Sequence, residues 1–157
     1  MPRERLTRHL NVTVVAIALV VTALDALTKI WVRHALAHHA LHVWSVLWFR
    51  LEYNTGISFS FDSSLPLVTT IFTVAVAVVV LAVGLRAHRG TPTIGFGLLI
   101  GGGLANVIDR LAASPHRVTD FIAVSSFPVF NLADVAITLG FVALMVAALR
   151  GDRLVGR

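Results

Sequence analysis

Four long apolar runs alternate with shorter polar stretches along the chain. The first goes from Val12 to about Val32 and contains only three threonines, Asp25 and Lys29 as polar positions. The second covers Pro66 to Leu85, with Ser64 available as a cap and Pro66 tolerated in the first helical turn. The third, Ile94 to Ile108 with Asp109 at its exit, is short and glycine-rich, and the fourth runs from Leu132 to Leu149 behind Asn131. About 20 apolar residues in helical form cross a hydrocarbon layer of ~30 Å. The pattern therefore predicts four transmembrane helices, over about 12–32, 66–85, 94–109 and 131–149, in one domain spanning 1–157. The basic start Arg3, Arg5 and Arg8 resembles the charged region of a signal peptide, but the run behind it is too long and carries Asp25 and Lys29, so it reads as a retained helix.

Between the first two runs the period changes from helical to two. Leu47, Phe49, Leu51 and Tyr53 alternate with Trp48, Arg50 and Glu52, and Ile57, Phe59 and Phe61 alternate with Ser58 and Ser60. Separated by Asn54-Thr55-Gly56, these read as a β-hairpin with Gly56 able to take positive φ. Trp31, Trp44 and Trp48 flank it, as rings anchored at headgroup level do. The fold class is thus an all-α integral membrane protein with a small extracytoplasmic β-hairpin or sheet.

Composition narrows the function classes. Of 157 residues, 57% are hydrophobic and 13% charged, about half the charged share of a soluble domain. The net charge of +5 comes from residues scattered singly between apolar runs, which argues against a nucleic-acid surface and for the ends of spans. No cysteine is present, which excludes disulfides, thiolate metal sites and a cysteine nucleophile. The N-terminal arm, the Arg86–Thr93 turn and the C-terminal tail hold eight of the thirteen Lys and Arg residues, so both termini are expected on the cytoplasmic side. Arg33, Arg50, Arg110 and Arg117 fall in the two outer connections, and Lys29 at the outer end of the first helix. The acids show the opposite bias: Asp25, Glu52, Asp62, Asp109, Asp120 and Asp134 all fall at outer span ends or in outer loops. At 1.5 Å per residue, Asp25 lies roughly 20 Å from Val12, Asp109 roughly 24 Å from Thr93 and Asp134 roughly 22 Å from Leu149. Three helices carry carboxylates to one depth.

An ionisable group in a span invites a functional reading with a named partner. Asp25 has Lys29 one turn on, so a satisfied ion pair is equally open. Asp109 and Arg110 fit either a site or a simple water boundary. Asp134 stands three residues after Asn131, the spacing of a reciprocal helix cap. Asp120, in Arg117-Val118-Thr119-Asp120-Phe121-Ile122, reads as a loop aspartate, but the return from Phe121 to Phe130 is long enough to fold it against Asp134. Two carboxylates in contact cannot both ionise cheaply, so one holds a proton near neutral pH. The ionised member can take a proton from water attacking an amide, and the protonated member can donate to the carbonyl oxygen. Other signals are weaker. His34, His38, His39 and His42 lack a carboxylate at zinc spacing, and no metal is assigned. Gly56-Ile57-Ser58-Phe59-Ser60 falls short of a nucleophile elbow. Gly97 and Gly101-Gly102-Gly103 suit close helix packing.

The order of these blocks resembles that of the lipoprotein signal peptidases, also called signal peptidase II, over nearly the whole chain. The matching pieces are Asp25-Ala26-Leu27-Thr28-Lys29, Asn54-Thr55-Gly56 with Phe59, Gly101-Gly102 to Asn106 with Asp109-Arg110, Val118-Thr119-Asp120-Phe121, and Phe130-Asn131-Leu132-Ala133-Asp134. The resemblance implies an aspartic endopeptidase of the bacterial cytoplasmic membrane with its site on the extracytoplasmic face. Its substrates would be diacylglyceryl-modified prolipoproteins, cut on the N-terminal side of the lipidated cysteine. It implies catalytic roles for Asp120 and Asp134, and site-shaping or substrate-holding roles for Asp25, Lys29, Asn54, Gly56, Asn106, Asp109, Arg110 and Asn131. No cofactor and no nucleic acid are implied, the partners are substrate and membrane lipid, and the chain is read as a monomer. Ala105 stands where the family usually has glycine, and Ile57-Ser58 replaces a smaller pair. A proton-coupled transporter would instead hold its carboxylate near the midplane, where the second, third and fourth runs have none. An assembly factor whose acids are caps and ion pairs is the third reading.

Overall fold

The computed structural model describes residues 10–55, 66–113 and 116–156. Four helices, α1 (Val12–Ala35), α2 (Pro66–Gly84), α3 (Thr91–Ala112) and α4 (Leu132–Leu149), are each long and apolar enough to cross a membrane. Three strands, β1 (Leu41–Trp44), β2 (Leu47–Asn54) and β3 (Val118–Val124), form one antiparallel sheet in the order β1-β2-β3. The small sheet expected beside the four helices is present, and it is built into the same end of the bundle as the carboxylates. The alternation in β2 holds from Leu47 to Leu51, with odd positions half-buried and Trp48 and Arg50 exposed. The expected partner strand over residues 57–61, Gly56 and the candidate cap Ser64 lie outside the described residues, and the described neighbours of β2 are β1 and β3.

Helix α3 is the most buried of the four and packs against the other three. It is longer at both ends than the expected 94–109. At its start, Gly90 takes φ +95° and Pro92 fits the first turn, while the Thr93 hydroxyl donates to the His88 carbonyl at 2.9 Å and accepts from Asn11 Nδ2 at 2.7 Å. At its exit, Asp109 and Arg110 are buried among partners instead of marking water, so the helix continues to Ala112. The glycines explain the close approach. A Cβ on Gly101 would lie 2.8 Å from the Ala18 carbonyl of α1, and one on Gly102 would lie 2.5 Å from the Ala133 carbonyl of α4. Neighbouring glycines thus let two helices touch α3 on different sides.

The helix ends meet in two groups. At one, Asn11 caps α1, its N–H bonds the Leu85 carbonyl, and the Gly156 N–H bonds the Arg86 carbonyl. Val14, Ala18, Phe96 and Ile100 fill the core there, so both described ends of the chain lie at this end of the bundle. At the other end, Val32 and Leu36 of α1 pack with Phe121 of β3. The first four residues of β3 are all buried, which removes the alternation by which a strand is recognised.

Candidate active site

The site forms where β3, α3 and the first turn of α4 converge. After β3 the chain turns back so that Phe130 bridges Ile122, with mutual backbone bonds of 2.8 and 3.0 Å. This return sets Asn131 beside Asp120. Asn131 is fully buried and caps α4: its Oδ1 accepts the Asp134 N–H at 3.0 Å, and Asp134 Oδ2 accepts the Asn131 N–H at 3.1 Å. The spacing-based capping box is therefore present. The same Asn131 amide also donates from Nδ2 to Asp120 Oδ1 at 2.6 Å and to Asn106 Oδ1 at 3.2 Å. Asn106 in turn donates from its Nδ2 to Asp134 Oδ1 at 2.9 Å. Two asparagines thereby hold Asp120 and Asp134 in one hydrogen-bonded cluster, and the Asn54 side chain adds a further bond to Asp120.

Asp120 is 2% exposed, on a strand rather than in a solvated loop. Burial, and then the nearby Asp134 charge, push its carboxyl up to about 7; bonds from Asn131 and Asn54 and the Lys29 charge oppose the rise. Asp134 is only half-buried and borders an apolar groove of about 550 Å³ lined by Phe127, Val129, Phe130, Val135, Thr138 and Leu139. One aspartate is enclosed and the other faces an opening.

Of the remaining expected site residues, Asp25, Lys29, Asp109 and Arg110 form a buried ionic layer behind this pair, and Gly56 lies outside the described residues. Lys29 Nζ lies 2.7 Å from Asp25 Oδ2 and 3.4 Å from Asp109 Oδ2, and donates to Asn106 Oδ1 at 3.0 Å. The Asp25–Lys29 ion pair is thus present, but it does more than pair, since Asp25 Oδ1 accepts the Ala133 N–H at 2.8 Å at the start of α4. Arg110 is buried within electrostatic reach of Asp120, Asp134 and Asp109. Asp109 also accepts from the Thr119 N–H at 2.7 Å and pairs with Arg33. Arg33 and Thr119 were not among the expected site residues. The available signal was that Arg33 lies one turn beyond Lys29 on the same helical face. Ala105 lines a cleft of about 190 Å³ between α1 and α3 with Asp25, Lys29 and Arg33, away from the groove at Asp134. Of the histidines, His42 stacks on Trp48 with ring centroids 4.0 Å apart.

The sequence profile described as Signal peptidase (SPase) II matches residues 17–150. A lipoprotein signal peptidase of Streptomyces coelicolor is 35% identical over 142 residues, covering 87% of this chain and 70% of the relative. One from Gloeobacter violaceus is 38% identical over 144 residues, covering 86% and 80% respectively. A solved structure described as a bacterial membrane enzyme matches 88% of each chain with a TM-score of 0.77 and 25% identity.

Proposed function

Since the chain belongs to the signal peptidase II family, we propose that it is a membrane aspartic endopeptidase that removes signal peptides from diacylglyceryl-modified prolipoproteins. Cleavage falls on the N-terminal side of the lipidated cysteine, and Asp120 and Asp134 are the reacting pair. The observation that carries this reading is the joint hold of Asn131 on both aspartates, which ties the end of a strand to the start of a helix. Four apolar helices make the chain a multi-pass membrane protein. The excess of arginine around the end that holds both described chain ends, with Arg86, Arg89, Arg150 and Arg153 there, supports a cytoplasmic location for that end. The dyad then faces outward from the bacterial inner membrane, where exported substrates arrive. The protein acts as a monomer, in a single domain over 1–157, without a cofactor.

In this mechanism the pair shares one proton near neutral pH, because Asp120 is enclosed and the Asp134 charge beside it repels a second one. The ionised carboxylate draws a proton from the attacking water as its oxygen bonds to the scissile carbonyl carbon. The protonated carboxyl donates to the carbonyl oxygen, and collapse of the tetrahedral intermediate breaks the C–N bond as a proton passes to the departing cysteine nitrogen. Arg110 adds a fixed positive charge beside the developing oxyanion. The groove beside Asp134 suits an apolar substrate segment or acyl chain. Asn54 braces Asp120, while Asp25, Lys29, Asn106, Asp109 and Asn131 hold the frame. Incubating purified protein with one prolipoprotein, with and without its diacylglyceryl group, tests the reading. Cleavage of the lipidated form alone supports it, and cleavage of neither by folded protein contradicts it.

A further inference from the structure

We propose that Arg33, through Thr119, is a positioning residue for Asp120, an inference that rests on Asp120 and Asp134 being the reacting pair. Thr119 is 1% exposed and held at both of its polar groups. Its hydroxyl oxygen accepts from Arg33 Nε at 3.0 Å and Nη2 at 2.7 Å, and its N–H donates to Asp109 Oδ2 at 2.7 Å. The same Arg33 Nη2 bonds Asp109 Oδ1, which closes a ring of three residues from α1, α3 and β3. Successive side chains on a strand point to opposite faces. Thr119 therefore faces α1, and Asp120, the next residue, faces Asn131 on the other side. Fixing Thr119 against two helices fixes how deep the Asp120 carboxylate stands in the cluster.

The Arg33 side chain is 38% exposed, so solvent screens its half of the ion pair, while Asp109 on the other side is buried. Its value is geometric. A planar guanidinium directs N–H groups of Nε and Nη2 to one hydroxyl and leaves a second N–H of Nη2 for a carboxylate, which a lysine ammonium on a flexible stem does not reproduce. Asp109 is the junction of the ring with the ionic layer, because its Oδ2 also lies 3.4 Å from Lys29 Nζ, and Lys29 reaches Asp134 through Asn106. One continuous polar chain thus sets both aspartates relative to α1.

The test compares Arg33→Lys, Arg33→Gln, Thr119→Val, Thr119→Ser and the Arg33→Gln/Thr119→Val double variant in detergent with a diacylglyceryl-prolipoprotein, beside Asp120→Asn. Arg33→Lys, Arg33→Gln and Thr119→Val are expected to lower kcat on the order of ten- to a hundredfold, with KM near wild type and a loss larger than any fall in the folded fraction accounts for. Thr119→Ser restores kcat because it keeps the accepting oxygen, and the double variant falls no further than the worse single. Wild-type kcat in Arg33→Lys and Thr119→Val overturns the inference while an inactive Asp120→Asn leaves the peptidase reading standing. A loss of kcat that tracks the thermal midpoint and is not restored by Thr119→Ser also overturns it. Full activity in Asp120→Asn removes the reacting pair and this inference with it.

Discussion

The Asn131 side-chain amide donates to Asp120 at 2.6 Å while its carbonyl oxygen accepts the Asp134 N–H at 3.0 Å, so one residue caps α4 and joins the two aspartates. These duties separate by substitution. Serine keeps a good N-cap but is too short to carry the amide to Asp120. Asn131→Ser is expected to retain a thermal midpoint close to wild type and lose at least about tenfold in cleavage rate. A rate loss no larger than its loss of folded protein would mean that Asn131 serves as a cap alone.

Asp120 gives stability a pH dependence of known sign. Its folded carboxyl titrates near 7, against an ordinary value of 3.8, so between these values the folded state binds more protons than the unfolded chain. Stability from this group is full below about pH 4 and falls as pH rises through 7. Asp120→Asn, which cannot ionise, is expected to unfold a few degrees higher than wild type at pH 8, with the gap closing toward pH 5. Thermal scans across that range check it, and a gap that widens on acidification contradicts it.

The ionic layer is a stability element. Asp25→Asn leaves Lys29 buried with Asp109 as its remaining carboxylate, 3.4 Å away. Breaking a buried pair from one side costs about 3–5 kcal/mol, and Asp109 should hold the loss near the lower end. Chemical unfolding in detergent measures it.

Two adjacent glycines of α3 should respond differently to alanine. A Cβ at Gly102 meets the Ala133 carbonyl at 2.5 Å, whereas at Gly103 the nearest contact is Ala77 Cβ at 4.0 Å. Gly102→Ala is expected to destabilise by about 1–3 kcal/mol and to push away the turn that carries Asp134. Gly103→Ala should be neutral, or stabilising by up to about 1 kcal/mol through helix propensity. Unfolding midpoints of the two variants decide this.

The spans were legible because a continuous apolar run of helical length has few alternatives, and α4 begins and ends within a residue of its expected bounds. The strand alternation of β2 was legible as far as Leu51, where its neighbours are local. What one sequence does not carry is long-range pairing. β3 is buried on both faces and pairs with a strand more than sixty residues earlier, so neither its period nor its partner can be read locally. Likewise, Asp109 and Arg110 fitted a water boundary as well as a site because their partners, Arg33, Lys29, Thr119, Asp120 and Asp134, come from other elements. Asn131 and Asp134 could be read as a cap from their spacing, but the contact of Asn131 with Asp120 depends on the Phe130–Ile122 return.

The most direct measurement is a gel-shift cleavage assay with diacylglyceryl-prolipoprotein and purified wild type, Asp120→Asn and Asp134→Asn, each first shown to be folded by its thermal transition. Wild type is expected to cleave the substrate and neither variant is. Full cleavage by a folded Asp120→Asn or Asp134→Asn would contradict the proposal that these two carboxylates perform the reaction.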